Sequence, residues 1–177
     1  MLKAYLAVDK NHGIANSEGQ IPWRIPADTQ RLWKLVEDEC SDVLISRSSW
    51  AGIPESRKEK LLGSKVVHIW TRTAKVDDER LKVVNDLAAW LPQAEKRSVA
   101  VLGGLLLYKT LWDDFNTIDY TLIQHDFGTT MALPVPNRAI YGIPKLLDIH
   151  DETDKLSGAQ VNILQLQYDR LQNQAAQ

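Results

Sequence analysis

A chain of 177 residues has the length of one domain and can bury a substantial core. With 44% hydrophobic and 25% charged residues it has the composition of a globular protein, and a net charge of −2 gives no electrostatic reason to expect nucleic acid or an anionic membrane as partner. The single cysteine, Cys40, excludes an internal disulfide and fits a reducing compartment. No stretch resembles a signal peptide and no apolar run approaches the ~20 residues of a membrane span, so a cytoplasmic protein is expected.

Leu2 to Val8 is a short, largely apolar run suited to a buried strand, and Asp9 to Gly13 breaks it with turn residues. His12 stands alone in that turn with no second ligand at metal spacing, so no metal site is expected. The following loop, Gly13 to Gln20, is rich in Gly, Asn and Ser. It stiffens through Ile21-Pro22-Trp23 and a second proline, Pro26, before Asp28. Read locally, Asp28 is an N-cap or a first-turn acid favoured by the helix dipole. The alternative is an acid beside the apolar side chains of Ile21 and Trp23, where burial raises its pKa and suits it to handling protons.

From Asp28 to about Glu39 the pattern is helical, with Leu32, Leu35 and Val36 on one face. Asp42 to Ile45 reads as a second strand. It runs into Ser46-Arg47-Ser48-Ser49-Trp50, whose hydroxyls suit the start of a short helix. Such a start offers free N–H groups to an anion, although serine capping beside a surface arginine explains the same residues. Residues 54–65 read as a polar connection. Lys65 to Trp70 is a third strand, ending at Thr71-Arg72, where a hydroxyl and a guanidinium suit a phosphate.

Leu81 to Val84 is a weaker strand, and Asp86 caps a helix carrying Leu87, Trp90 and Leu91 that should stop near Pro92. Ser98 to Leu102 is a buried strand that meets Gly103-Gly104 and then a helix. That arrangement suits close approach of backbone to a pyrophosphate, or simply a tight turn. It is not a P-loop, because no Gly-Lys-Ser/Thr follows. Ile118 to Asp126 forms another strand. Leu146 to His150 and Val161 to Tyr168 read as an antiparallel hairpin. The Gln-rich end, 172–177, is expected to fray from a domain spanning 1–171.

Taken together, these landmarks resemble the dihydrofolate reductase family. Asn11-His12-Gly13-Ile14, Ile21-Pro22-Trp23 and Pro26-Ala27-Asp28 match its loop and acid, with Ala15 replacing a loop glycine and the loop one residue longer. Arg47, Ser49 and Trp50 match its G-R-x-[ST]-W segment, with Ser46 in place of the glycine. Thr71-Arg72 matches the pair that holds the adenosine 2′-phosphate. Gly103-Gly104 and Tyr108 match strand-G-G-x-x-x-[YF], with Leu105 replacing a third glycine. Thr121 and Pro134 fall on the later threonine and proline.

The resemblance implies an α/β fold: one doubly wound, mostly parallel twisted sheet, helices on both faces and a C-terminal antiparallel hairpin. It implies NADPH as cofactor, held by Ala7, Ile14, Ala15, Arg47, Ser48, Ser49, Thr71, Arg72, Gly103, Gly104, Leu105 and Tyr108. It makes Asp28, Trp23 and Thr121 the catalytic group, with Ile21, Thr29, Leu32, Leu61 and Leu102 lining the substrate slot. The implied reaction reduces 7,8-dihydrofolate or a related dihydropterin to the tetrahydro form, in a monomer or homodimer. Two alternatives on the same fold are a reductase of a ribosylaminopyrimidine and an NADPH-binding relative without turnover. Ser64 falls where the family places the arginine that pairs with the folate glutamate, which implies weak recognition of that tail.

Overall fold

The computed structural model describes residues 1–73 and 75–172; most of the expected frayed tail, 173–177, lies outside the described residues. The chain opens with strand β1 (Leu2–Val8), a three-residue strand β2 (Gly13–Ala15) and helix α1 (Pro26–Glu39). Strand β3 (Asp42–Ser46), helices α2 (Arg47–Ala51) and α3 (Glu55–Ser64), and strands β4 (Val66–Trp70) and β5 (Lys82–Val84) follow. Then come helix α4 (Leu87–Ala94), strand β6 (Val99–Val101), helix α5 (Leu105–Leu111) and strand β7 (Thr117–Ile123). The chain ends with β8 (Met131–Ala132), helix α6 (Arg138–Tyr141) and the long strands β9 (Lys145–Thr153) and β10 (Gln160–Asp169).

Eight strands form one sheet in the order β5-β4-β3-β6-β1-β7-β10-β9, while β2 and β8 pair separately. The pairs from β5 across to β7 are parallel, and β10 runs antiparallel to both β7 and β9. This is the expected doubly wound sheet with its C-terminal hairpin. The chain leaves β1 for β3, beyond β6, and later returns to β7 on the opposite side of β1. That reversal of strand order opens a crevice at the carboxyl ends of β1 and β6.

Burial explains why the central strands are apolar on both faces. Ala4, Leu6 and Val8 of β1 join Leu44, Leu107 and Trp90 in one core, while Tyr5 joins Val36, Val43, Ile45 and Ile69 in another. A third cluster packs Trp23 and Ile25 against Ile123, Val161 and Ile163.

The structure differs from the sequence reading at several elements. Residues 54–65 are not a plain connection, because they contain the ten-residue helix α3. Only Leu61 is buried on it, so its apolar face is too narrow to announce a helix. Helix α4 continues past Pro92 to Ala94. The carbonyl that Pro92 leaves without a donor belongs to Ala88, which is exposed and can be solvated. Helix α1 begins two residues early, with Pro26 in its first turn, where a missing N–H costs nothing. The remaining additions are the β2–β8 pair and the short helix α6, elements too brief to carry a periodic pattern.

Candidate active site

A cleft of about 840 Å³ opens at the carboxyl ends of the central strands. One wall is built around Asp28. The N-cap of α1 is Ile25, which makes no side-chain cap, so Asp28 is not the capping residue. Its carboxylate turns to β7 instead, with Asp28 Oδ1 2.8 Å from Thr121 Oγ1. Thr121 Oγ1 also lies 2.9 Å from Gln165 Oε1 on β10. Burial pushes the Asp28 carboxyl above the usual range. Thr121, Gln165 and the Arg31 charge pull it down, and Asp119 adds to the rise. The net effect is a carboxyl that holds its proton more tightly than an exposed one.

Arg31, one helical turn beyond Asp28, donates two hydrogen bonds of 2.6 Å to Asp119 of β7. Both side chains line the cleft, together with Tyr5, Ala7, Trp23 and Leu32.

The facing wall is Gly103-Gly104, joined by a cis peptide, at the start of α5. A Cβ on Gly104 would sit 3.1 Å from both Ser46 Oγ and Ser49 Oγ, so a side chain there would crowd α2. Ser46 caps α2, its side chain accepting from the Ser49 amide. Tyr108 lines the cleft with its ring, while its hydroxyl donates to the backbone oxygen of Tyr5 at 2.9 Å. Beyond this wall, Arg47 Nη1 donates to Thr73 Oγ1 at 3.0 Å, and Thr71 Oγ1 is 3.1 Å from the same atom. Arg47 and the neighbouring Arg72 are exposed. The donor set suits a phosphorylated dinucleotide: guanidinia and hydroxyls at the strand ends, then a glycine backbone that a second chain of atoms can approach.

The entrance loop is tied down at both ends. The buried Asp9 carboxylate accepts from the Asn11 and Phe127 amides and from Thr129 Oγ1. Gly13 is required beside it, since a Cβ there would fall 1.9 Å from Thr129 Oγ1. At the far end, the fully buried Asp154 accepts from the Arg24 amide at 2.7 Å and from Ser157, holding the turn between β9 and β10 against Trp23-Arg24.

The cleft gathers most of the residues singled out in the sequence: Ala7, Ile14, Ala15, Ile21, Trp23, Asp28, Thr29, Leu32, Ser48, Ser49, Gly103, Gly104, Leu105, Tyr108 and Thr121. It does not gather Leu61, which is 2% exposed within the core between α1 and the sheet and so is no part of the substrate slot. Leu102 packs into the same core rather than lining the cleft. Arg47, Thr71 and Arg72 lie outside the cleft lining, at the neighbouring strand ends. Ser64 is exposed on α3, its hydroxyl donating to the Lys60 carbonyl.

Sequence reasoning missed Arg31, Asp119 and Gln165. Gln165 had a visible signal: it follows Val161 and Ile163 at a spacing of two, which puts an amide on the apolar face of β10. Arg31 had a weaker one, lying three residues after Asp28 on the same helix.

Fold and cleft together give a doubly wound α/β sheet whose cleft carries an acid on one wall and a glycine pair on the other. A sequence model described as dihydrofolate reductase matches residues 1–167. The chain therefore belongs to the dihydrofolate reductase family and is an NADPH-dependent oxidoreductase. No curated protein sequence matches it significantly. Among solved structures, it is similar to dihydrofolate reductase from Enterococcus faecalis complexed with NADP(H) and RAB-propyl, at 19% identity, 97% coverage of each chain and a TM-score of 0.71. At that identity the likeness speaks for the fold. No helix among the described residues is long and apolar enough to cross a membrane.

Proposed function

We propose that this enzyme reduces 7,8-dihydrofolate or a related dihydropterin to its tetrahydro form. The observation that carries the reading is the half-buried Asp28 carboxyl, bonded to Thr121 and holding its proton tightly, on a cleft wall facing Gly103-Gly104. Bound NADPH supplies the hydride. Arg47, Thr71 and Arg72 would hold its phosphates by charge and hydrogen bond, and Gly103, Gly104 and Ser49 would leave room for its backbone. Asp28 accepts the amino and ring N–H groups of the pterin, fixes its orientation and supports protonation of its ring nitrogen. Thr121 orients that carboxyl, Trp23 and Leu32 exclude water around it, and Ile21, exposed at the loop, covers the ring.

The substrate end away from the acid favours a pterin with a short tail. Ser64 offers no guanidinium, and the Lys65 ammonium is already bonded to the Glu37 and Cys40 carbonyls at the end of α1. The Arg57 guanidinium lies over Trp33 and donates to Glu37. A flexible point charge is a poor substitute for a bidentate pair, and its loss weakens tail binding by ~30-fold or more. NADPH oxidation is to be followed with dihydrofolate, with a dihydropterin lacking the aminobenzoyl-glutamate, and with a ribosylaminopyrimidine. Turnover of both pterins at similar KM, with no ribosylaminopyrimidine turnover, is expected; Ser64→Arg should lower KM for dihydrofolate alone. Turnover of the ribosylaminopyrimidine only would overturn the proposal.

A further inference from the structure

The hydroxyl of Thr121 carries one proton and faces two acceptors, Asp28 Oδ1 at 2.8 Å and Gln165 Oε1 at 2.9 Å. It can donate to only one of them at a time. Gln165 is 2% exposed, pairs directly across the ladder with Thr121, and its Nε2 is buried without a hydrogen-bond partner among the described residues. A buried amide nitrogen without an acceptor is costly, so its orientation here calls for a reason. The ladder between β10 and β7 runs without interruption through this position, so the regular pleat sets Gln165 beside Thr121.

We propose that Gln165 is a positioning residue for the acid, its amide fixing which way the Thr121 proton points and thereby which protonation state Asp28 holds. Two arrangements satisfy the hydroxyl. With Asp28 protonated, the carboxyl donates to Thr121 Oγ1 and the Thr121 proton goes to Gln165 Oε1. With Asp28 ionised, the Thr121 proton goes to the carboxylate, and a reversed amide donates from Nε2 to Thr121 Oγ1. No proton is gained or lost in the relay beyond the one that Asp28 releases or accepts. The amide therefore turns over as the carboxyl titrates. Its donor end is what the ionised form gains.

The charged groups facing Asp28 are Arg31 on its own helix and Asp119 on β7, which hold each other; Arg24 and Glu18 line the same cleft. All four remain in a Gln165 variant, so a change in the Asp28 titration isolates the amide. Gln165 does not line the cleft, so it acts through Thr121 and Asp28 rather than on substrate.

The inference rests on the acid role proposed for Asp28, but its test reads the carboxyl directly. The full chain is labelled with 13C at aspartate carboxyl carbons, the Asp28 signal being assigned by its loss in Asp28→Asn. Gln165→Met, of similar length and without the amide, should raise the Asp28 midpoint by ~1 pH unit, tenfold in the ionisation constant. Gln165→Glu should raise it further, because a second carboxyl then shares the site. In the unaltered chain, the Gln165 side-chain amide signals should shift with the Asp28 midpoint, a result that needs no variant to fold. The base-side limb of kcat/KM should move with the NMR midpoint. Absence of turnover in the unaltered enzyme would count against the proposed function and leave the titration standing. An Asp28 midpoint unmoved in both folded variants, or Gln165 amide signals that do not titrate with it, would overturn the inference.

Discussion

The guanidinium of Arg31 grips the carboxylate of Asp119 in a bidentate pair, both contacts at 2.6 Å, one helical turn from Asp28. The two charges act on Asp28 in opposite directions, Arg31 lowering its pKa and Asp119 raising it. Arg31→Met leaves Asp119 unopposed and should raise the Asp28 pKa by ~1 pH unit, moving the base-side fall in kcat/KM to higher pH. Asp119→Asn should move it to lower pH, and the double variant should return close to the starting profile. The measurement is kcat/KM for dihydrofolate against pH in all four proteins. Shifts of the same sign in the two single variants would contradict this account.

Asp154 joins the β9–β10 turn to the loop that carries Trp23. Burial pushes its pKa up, but the Arg24 amide, Ser157 and the Leu156 amide outweigh that and hold it below the usual carboxylate range. Asp42 is similar: burial raises it, while His68, Ser41 and Arg97 bring it down further. A carboxyl depressed in the folded state stabilises the fold above its unfolded pKa, and that stability is lost as pH falls through the folded value. Stability should therefore hold from neutral pH to about pH 5 and fall steadily below about pH 4. Asp154→Ala should cost ~2–4 kcal/mol at neutral pH and flatten the acid loss. Urea unfolding at several pH values checks both, and an unchanged acid slope in the variant would count against the clamp.

Much of the frame was legible because its cause is local. Leu2–Val8 is a largely apolar run, and the structure gives it the same bounds. Val161 and Ile163, two residues apart, likewise put one apolar face on β10. Helix α3 was not legible, because its single buried residue, Leu61, leaves no stripe to detect. The same burial removed Leu61 from the substrate slot, a role that only family resemblance had suggested. Contacts across long sequence separations were the hardest to see. Asp28 meets Thr121 93 positions away, and Arg31 meets Asp119 88 positions away. Neither follows from periodicity, and the second pair has no motif to announce it.

Asp28 also has a cost for the fold, with the sign opposite to that of Asp154. Its pKa is raised in the folded state, so the folded chain binds more protons than the unfolded one between the ordinary carboxylate value and the raised one. Stability is lost as pH rises through that window, and the ionised carboxylate remains a burden at neutral pH. Asp28→Asn should therefore be more stable than the unaltered enzyme at pH 7, by ~1 kcal/mol in urea unfolding. A variant less stable than the parent at pH 7, yet equal to it at pH 4, would contradict the sign.

The central claim is that Asp28 is the acid of the reaction, and steady-state turnover of dihydrofolate with NADPH by Asp28→Asn at pH 7 tests it most directly. The variant keeps the shape and the Thr121 contact but cannot hold a titrating proton. The account predicts a fall in kcat of ~10²- to 10⁴-fold and loss of the base-side limb of the pH profile. Turnover at pH 7 equal to that of the unaltered enzyme would contradict it.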